Sequence, residues 1–199
     1  AATVKELHQQ AKAHLAKRQP DRAKPILETI LDTATVHDLG AIRDAARYLA
    51  MIAIEQRTVE AFLAQAEQEL GQRPDDPVAR WKVIEGFLAI GRRQEAIVQL
   101  RTLLDQAPRD EYLRARLAQA YASDGQLEQA LAVVQEGLNA NPGSVRLAET
   151  VADAYVRANQ PQEAVKHYEA LLTKSTDERR KAFYRSRIKE IGKAVTESP

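Results

Sequence analysis

The stretch Leu117–Pro142, LAQAYASDGQLEQALAVVQEGLNANP, decides the fold of this chain. Apolar residues recur in it at the spacing of one face of an α-helix, once before and once after the pair Asp124-Gly125. An Asp-Gly pair is a turn signal, and the pair Asn141-Pro142 is a stop signal for the second segment. The stretch therefore predicts two short helices joined by a tight turn.

The same pattern recurs every 34 residues. Proline, a large aromatic residue, alanine and a turn residue each return at that interval, as Pro74, Pro108 and Pro142; Phe87, Tyr121 and Tyr155; Ala96, Ala130 and Ala164; and Gly91, Gly125 and Asn159. A fixed period of this length is typical of repeat proteins, in which each helix pair buries its apolar face only against its neighbours.

The repeat resembles the tetratricopeptide repeat (TPR), whose pattern is W-x2-L-G-x2-Y, then A-x3-F, then P. In the central repeat the last six of those seven sites are filled identically or conservatively, while Arg114 stands at the tryptophan site; the six are Leu117, Ala118, Tyr121, Ala130, Val134 and Pro142. The resemblance covers roughly residues 4–175. It implies an all-α fold, a right-handed solenoid of stacked antiparallel helix pairs.

We therefore expect one TPR-like array over residues 1–199, with repeats at about 4–37, 43–76, 77–110, 111–144 and 145–175 and a capping helix at about 176–196. The first repeat matches through few positions, and an insertion of about five residues separates it from the second. Thr3-x-x-Glu6 and Ser175-x-x-Glu178 are capping-box patterns that predict the starts of the first and last helices.

Composition argues against several classes of function. The formal net charge is +1, so there is no general case for nucleic acid or for an anionic membrane, and no apolar run approaches the roughly 18 residues of a membrane span. We find no Gly-rich phosphate loop, no G-x-S-x-G and no H-E-x-x-H. The four histidines include no pair at i, i+4: His8, His14, His37 and His167. We expect neither an enzyme nor a bound cofactor or metal.

The resemblance to TPR proteins implies a concave groove that binds proteins, lined by residues of the first helix of each pair. The expected binding residues are Arg47, Met51, Trp81, Glu85, Tyr112, Arg116, Gln119, Glu149 and Asp153, with Lys5, His8, Lys12 and Asp44 on the same faces of the first two pairs. Met51, Trp81 and Tyr112 would form an apolar centre. Trp81 has two interpretations, because it lies one residue past the tryptophan site and could equally belong to the core.

The resemblance implies a partner that is another protein: a peptide, a helix or a domain. The alternative is an assembly module that oligomerises through its end surfaces. The Ala-, Gln- and Arg-rich repeats resemble bacterial arrays, so we expect a soluble protein of a bacterial cytoplasm or periplasm that belongs to a larger assembly. The start at Ala1 fits removal of an initiator methionine, cleavage of a signal peptide and a fragment of an envelope-associated protein equally well.

The predicted last helix is strongly basic. Between Glu178 and Lys193 seven Lys or Arg residues stand against two Glu, and the seven are Arg179, Arg180, Lys181, Arg185, Arg187, Lys189 and Lys193. One interpretation is an anionic partner, such as lipid headgroups, RNA or an acidic protein. The other, which we favour from the sequence alone, is the solvated back of a capping helix.

Overall fold

The computed structural model describes residues 2–197, apart from the side chains of Val36, Thr196 and Glu197. Within that range all the regular secondary structure is helical. It consists of α-helices and one short 3-10 helix at Val36–Asp38. The α-helices are α1 (Val4–Ala16), α2 (Pro20–Thr33), α3 (Leu39–Glu55), α4 (Val59–Gln72), α5 (Pro77–Ala89), α6 (Arg93–Gln106), α7 (Glu111–Ser123), α8 (Leu127–Ala140), α9 (Val145–Arg157), α10 (Pro161–Lys174) and α11 (Glu178–Glu197). The fold is an all-α helical repeat, as the spacing predicts.

The helices form two compact units, Ala1–Gln99 and Leu100–Pro199, and α6 runs across the boundary in sequence. In the first unit α1 packs on α2, α2 on α3, α3 on α5, and α4 on α5. In the second unit α7 packs on α8 and α9, α9 on α10, and α10 on α11. The sequence-based prediction of one array with five repeats concerns the chain as a whole, and it stays a prediction.

The tight turns within the helix pairs share one backbone conformation. A residue in the left-handed region follows the first helix at Arg57, Gly91, Gly125 and Asn159, with φ between 55° and 79° and a spacing of 34 residues. The corresponding residue of the first pair is Arg18, which lies 39 residues before Arg57. The difference is the five-residue insertion, and the structure places the 3-10 helix Val36–Asp38 in that link.

Substitutions at a glycine turn and at an arginine turn should therefore change the free energy of unfolding in opposite directions. We expect Gly125→Ala to lower the free energy of unfolding by about 1–2 kcal/mol, because alanine is strained at a φ of 79°. We expect Arg57→Gly to raise it by about 0.5–1 kcal/mol, since glycine removes the strain at a φ of 58° but adds freedom to the unfolded chain. Gly40→Ala is the control, because Gly40 lies inside α3 with open space beside it. Urea denaturation followed by circular dichroism measures all three, and equal signs for Gly125→Ala and Arg57→Gly would contradict the account.

The departure at the tryptophan site has a structural explanation. Arg114 donates hydrogen bonds to the carbonyl oxygen of Pro108, at 2.9 and 3.1 Å, and to the carbonyl oxygen of Val133 at 3.1 Å. One repeat earlier, Arg80 donates to the carbonyl oxygen of Pro74 at 2.5 Å. A guanidinium group can tie several carbonyls together because it presents five donors in a planar fork. The Arg114 guanidinium therefore links the loop before α7 to α8, at the site where the family pattern has an indole ring.

The two capping predictions differ in outcome. At α1 the Thr3 and Glu6 side chains complete the capping box, so that prediction is confirmed. At α11 the carboxylate of Asp177 accepts the hydrogen bonds from the backbone N–H groups of Arg179 and Arg180, so the prediction of Ser175 as the cap is wrong. Ser175 instead lies in the link between α10 and α11, where its hydroxyl accepts a hydrogen bond from the backbone N–H of Asp177. Both residue types are good caps, and the sequence offered them two positions apart.

Candidate protein-binding surfaces

The first unit brings three cationic or titratable side chains of α1 and α3 together around the carboxylate of Asp44. Asp44 lies 3.0 Å from His8 Nε2, 3.3 Å from Lys12 Nζ and 3.0 Å from Arg47 Nη2. We call these four residues the cationic cluster. Lys12 and Arg47 carry two full positive charges against the one negative charge of Asp44, and half of the Lys12 side chain is exposed. The cluster therefore has spare positive charge at the protein surface.

A cleft with several apolar residues lies beside this cluster. Met51 follows Arg47 by one helical turn on α3, and its exposed fraction is 51%. The cleft has a volume of about 390 Å³, and Met51 lines it together with Leu15, Pro20, Tyr48, Ile52 and the charged Arg18 and Glu55. Methionine adapts to irregular apolar partners because its side chain is unbranched and flexible. A cationic site and an apolar site thus lie within about two turns of one helix, or roughly 10 Å at a rise of 1.5 Å per residue.

Trp81 and Glu85, on α5, are buried, with exposed fractions of 2% and 3%. The guanidinium carbon of Arg43, a buried residue of α3, lies 5.1 Å from the centre of the Trp81 ring, which is cation–π geometry. The surroundings of Trp81 are therefore those of a core residue. A partner cannot reach either side chain without a movement of the protein, so their role in binding stays a prediction.

Three of the expected binding residues lie on α7 in the second unit. Tyr112, Arg116 and Gln119 are all half-buried. Arg116 donates a hydrogen bond to the Gln119 side chain at 3.3 Å, and the Arg146 guanidinium lies 5.6 Å from the centre of the Tyr112 ring. Tyrosine and arginine are common anchors of protein interfaces. These residues form a polar and aromatic surface of α7 and α9, and their role in binding stays a prediction.

The last two expected residues already have partners inside the second unit. Glu149, on α9, accepts a hydrogen bond from the Tyr184 hydroxyl at 2.5 Å, and Asp153 accepts one from the Tyr168 hydroxyl at 2.5 Å. Arg187, on α11, lies 3.7 Å from Asp153. Both carboxylates thus help to hold α10 and α11 on α9, a role that the spacing did not reveal. That they also bind a partner stays a prediction.

The electrostatics of these tyrosines fit this structural role. Burial, followed by the hydrogen bond to Asp153, raises the pKa of Tyr168 to about 12. Burial and the hydrogen bond to Glu149 likewise raise the pKa of Tyr184. Both hydroxyls therefore keep their protons at neutral pH and remain donors.

A second cleft in the first unit was not expected from the sequence. It has a volume of about 1040 Å³ and is lined by α2, α3 and α4, with Leu31, Leu49 and Phe62 among its apolar residues. Lys82 and Glu69 form an ion pair of 2.6 Å at its wall. The sequence feature that could have indicated this cleft is the insertion before Leu39, which makes the link between α2 and α3 longer than the later links.

Among the described residues, no three His, Asp or Glu side chains are grouped as a metal site would need. Within the same part of the chain, no helix has the length and apolar character to cross a membrane.

Family models of the tetratricopeptide repeat match residues 8–77, 87–154 and 151–182, so the matches extend across most of the chain. The chain belongs to the tetratricopeptide repeat family. The 34-residue spacing and the repeated left-handed turns described above are the physical basis of that match. TPR domains are typically non-enzymatic modules for protein interaction, and the coarse role of this TPR protein is accordingly that of an interaction scaffold.

Solved structures share the TPR fold at low sequence identity. A thermophilic TPR protein from Thermus thermophilus is 18% identical, with a TM-score of 0.61, and the match covers 94% of this chain and 99% of that one. MamA from Desulfovibrio magneticus is 21% identical, with a TM-score of 0.50, covering 85% and 93%. Comparison with curated proteins gave no match. At these identities the likeness concerns the fold alone.

Proposed function

We propose that this TPR protein is a non-enzymatic scaffold that binds an extended segment of a partner protein along the first helices of its repeats. The observation that carries the proposal is the cationic cluster beside the Met51 cleft on α1 and α3. The family's concave groove is the surface on which such residues are expected.

The geometry suggests which segment would fit. A carboxylate of the partner would bind Lys12 and Arg47, where charge-assisted hydrogen bonds contribute about 1.5–3 kcal/mol each. Met51 follows Arg47 by four residues, or about 6 Å of helix. In an extended peptide, side chains two residues apart point the same way and are separated by about 6.6 Å. The segment therefore has an acidic residue and an apolar residue two positions apart.

Selection from a displayed library of random peptides tests this proposal. The bait is the whole chain, and the expected result is enrichment of an acidic residue two positions from a large apolar one. A parallel selection uses the Lys12→Gln/Arg47→Gln variant, from which the acidic preference should disappear. The matched control is Arg22→Gln/Arg101→Gln, which removes the same charge from two exposed residues elsewhere. Peptides without this pattern, or a pattern retained by the first variant, would contradict the proposal.

Self-association through the end surfaces stays the alternative function. The mass in solution, measured by light scattering over a hundredfold range of concentration, decides between the two. A mass that rises with concentration would favour the assembly module, whereas a constant monomer mass would exclude it.

A further inference from the structure

The helix α11 differs in charge from the rest of the chain. Its sequence holds seven Lys or Arg against three Glu, a net charge of +4, whereas the remaining residues carry 22 against 25, a net charge of −3. The formal charge of +1 for the whole chain conceals this separation.

Three exposed cations of α11 lie outside its ion pairs. Glu178 binds Lys181 at 2.7 Å and Glu190 binds Arg187 at 3.1 Å, and both of these cations are half-buried. Among the described residues, no carboxylate lies within ion-pair distance of the exposed Arg179, Arg185 or Lys189. Glu178 and Glu190 thus pair with the half-buried cations, and Glu178 also attracts Arg185 over a longer distance. The exposed side of the helix still carries more positive than negative charge.

A merely solvated back of a helix does not need a single sign of charge. The exposed side of α10 is mixed, with Lys166 bound to Glu163 at 2.6 Å. The helix α11 has two ion pairs of the same kind, but its Arg185 and Lys189 also stand at i, i+4, a spacing at which like charges disfavour the helix. The arrangement weakens the isolated helix, so helix stability does not explain it.

We propose that the outer face of α11, formed by Arg179, Arg185 and Lys189, binds the anionic headgroups of a lipid bilayer. This surface is distinct from the cationic cluster, so it goes beyond the proposed function. Basic residues on one helix face attract anionic headgroups without needing a fixed geometry at each contact. Phe183, on the same helix, is 49% exposed and offers an apolar side chain at the boundary of headgroups and acyl chains.

The aromatic residues of α11 favour a bilayer over single-stranded nucleic acid. Binding of single strands relies on aromatic rings on which successive bases stack. Tyr184 is buried, and the Phe183 ring packs edge-on against Tyr168 and Tyr184, with centroid distances of 6.4 and 5.7 Å. The described part of α11 therefore lacks an open series of rings for bases.

Co-sedimentation with lipid vesicles tests the proposal. The whole chain should bind vesicles made of equal parts phosphatidylglycerol and phosphatidylcholine, and it should not bind vesicles of phosphatidylcholine alone. Binding should be lost in 1 M salt, where the Debye length for screening of charges is about 3 Å. Arg185→Gln/Lys189→Gln should weaken binding about 25-fold, since each basic residue near an anionic surface contributes about fivefold.

Matched variants separate the surfaces. Arg22→Gln/Arg101→Gln has the same change of net charge and should bind the vesicles as the wild type does. Lys12→Gln/Arg47→Gln should also bind them normally, which keeps this test independent of the peptide-binding proposal. Circular dichroism checks that α11 remains folded in each variant.

Three outcomes would overturn the proposal. The first is no binding to the anionic vesicles at low salt. The second is equal loss in the α11 variant and the Arg22/Arg101 control, which would mean that net charge alone is responsible. The third is tighter binding of a single-stranded RNA than of the vesicles at the same salt concentration, lost in the same α11 variant, which would make the partner a nucleic acid.

Discussion

Replacing Trp81 by alanine is expected to lower the free energy of unfolding by about 3–5 kcal/mol, the range for large aromatic side chains removed from a core. The indole has an exposed fraction of only 2%, and the Arg43 guanidinium lies over its ring at 5.1 Å. Alanine would leave a cavity between α3 and α5 and would deprive a buried arginine of its aromatic partner. Trp81 therefore helps to hold α5 against α3 in the core of the first unit.

Urea denaturation followed by circular dichroism measures the change, because the variant lacks the chain's one tryptophan and fluorescence would be lost. Trp81→Phe keeps an aromatic ring and should recover part of the loss. Met51→Ala, at an exposed residue of α3, should stay within about 0.5 kcal/mol of the wild type. A loss below about 1 kcal/mol for Trp81→Ala would contradict the core interpretation and favour an accessible ring.

Tyr184→Ala is expected to lower the stability of the second unit by about 3–5 kcal/mol. Tyr184 is 1% exposed, packs with Tyr168 at a centroid distance of 6.1 Å, and donates a hydrogen bond to Glu149. The variant would remove the apolar anchor of α11 and leave a carboxylate without its donor. Hydrogen exchange should then show lost protection in α11 first, since this helix packs on α10 at the end of the unit.

Two control variants separate the contributions to this effect. Tyr184→Phe keeps the ring but removes the hydroxyl, so it should cost about 1–3 kcal/mol, the penalty for leaving the Glu149 carboxylate unpaired. Arg185→Gln, on the exposed side of α11, should change stability by less than about 0.5 kcal/mol. If Tyr184→Ala behaved like Arg185→Gln, α11 would not be anchored on the repeats as the structure shows.

The sequence predicted those parts of the fold that depend on neighbouring residues. Asp76-Pro77 marks the start of α5, where the Asp76 side chain accepts from the backbone N–H groups of Val78 and Ala79. Gly91 and Gly125 mark turns because their backbone needs a positive φ. Such signals are local, and the 34-residue period repeats them, so the helices and their order could be predicted from the sequence.

Features that depend on packing between distant residues could not be predicted in this way. The spacing left Trp81 open between groove and core, because a shift of one residue on a helix rotates the side chain by about 100°. Glu149 and Asp153 looked like free groove residues, since nothing in the repeat shows that two tyrosines 15 to 35 residues later would bind them. The arrangement of His8, Lys12 and Arg47 around the Asp44 carboxylate likewise depends on how α1 packs against α3.

The most direct test of the scaffold proposal is calorimetric titration of the peptide enriched in the library selection. We expect the wild type and Arg22→Gln/Arg101→Gln to bind it with equal affinity. Lys12→Gln/Arg47→Gln should bind it about a hundredfold more weakly or worse, which corresponds to the loss of two charge-assisted contacts of about 1.5 kcal/mol each. Equal affinity for all three proteins would contradict the account and place the binding surface elsewhere on the chain.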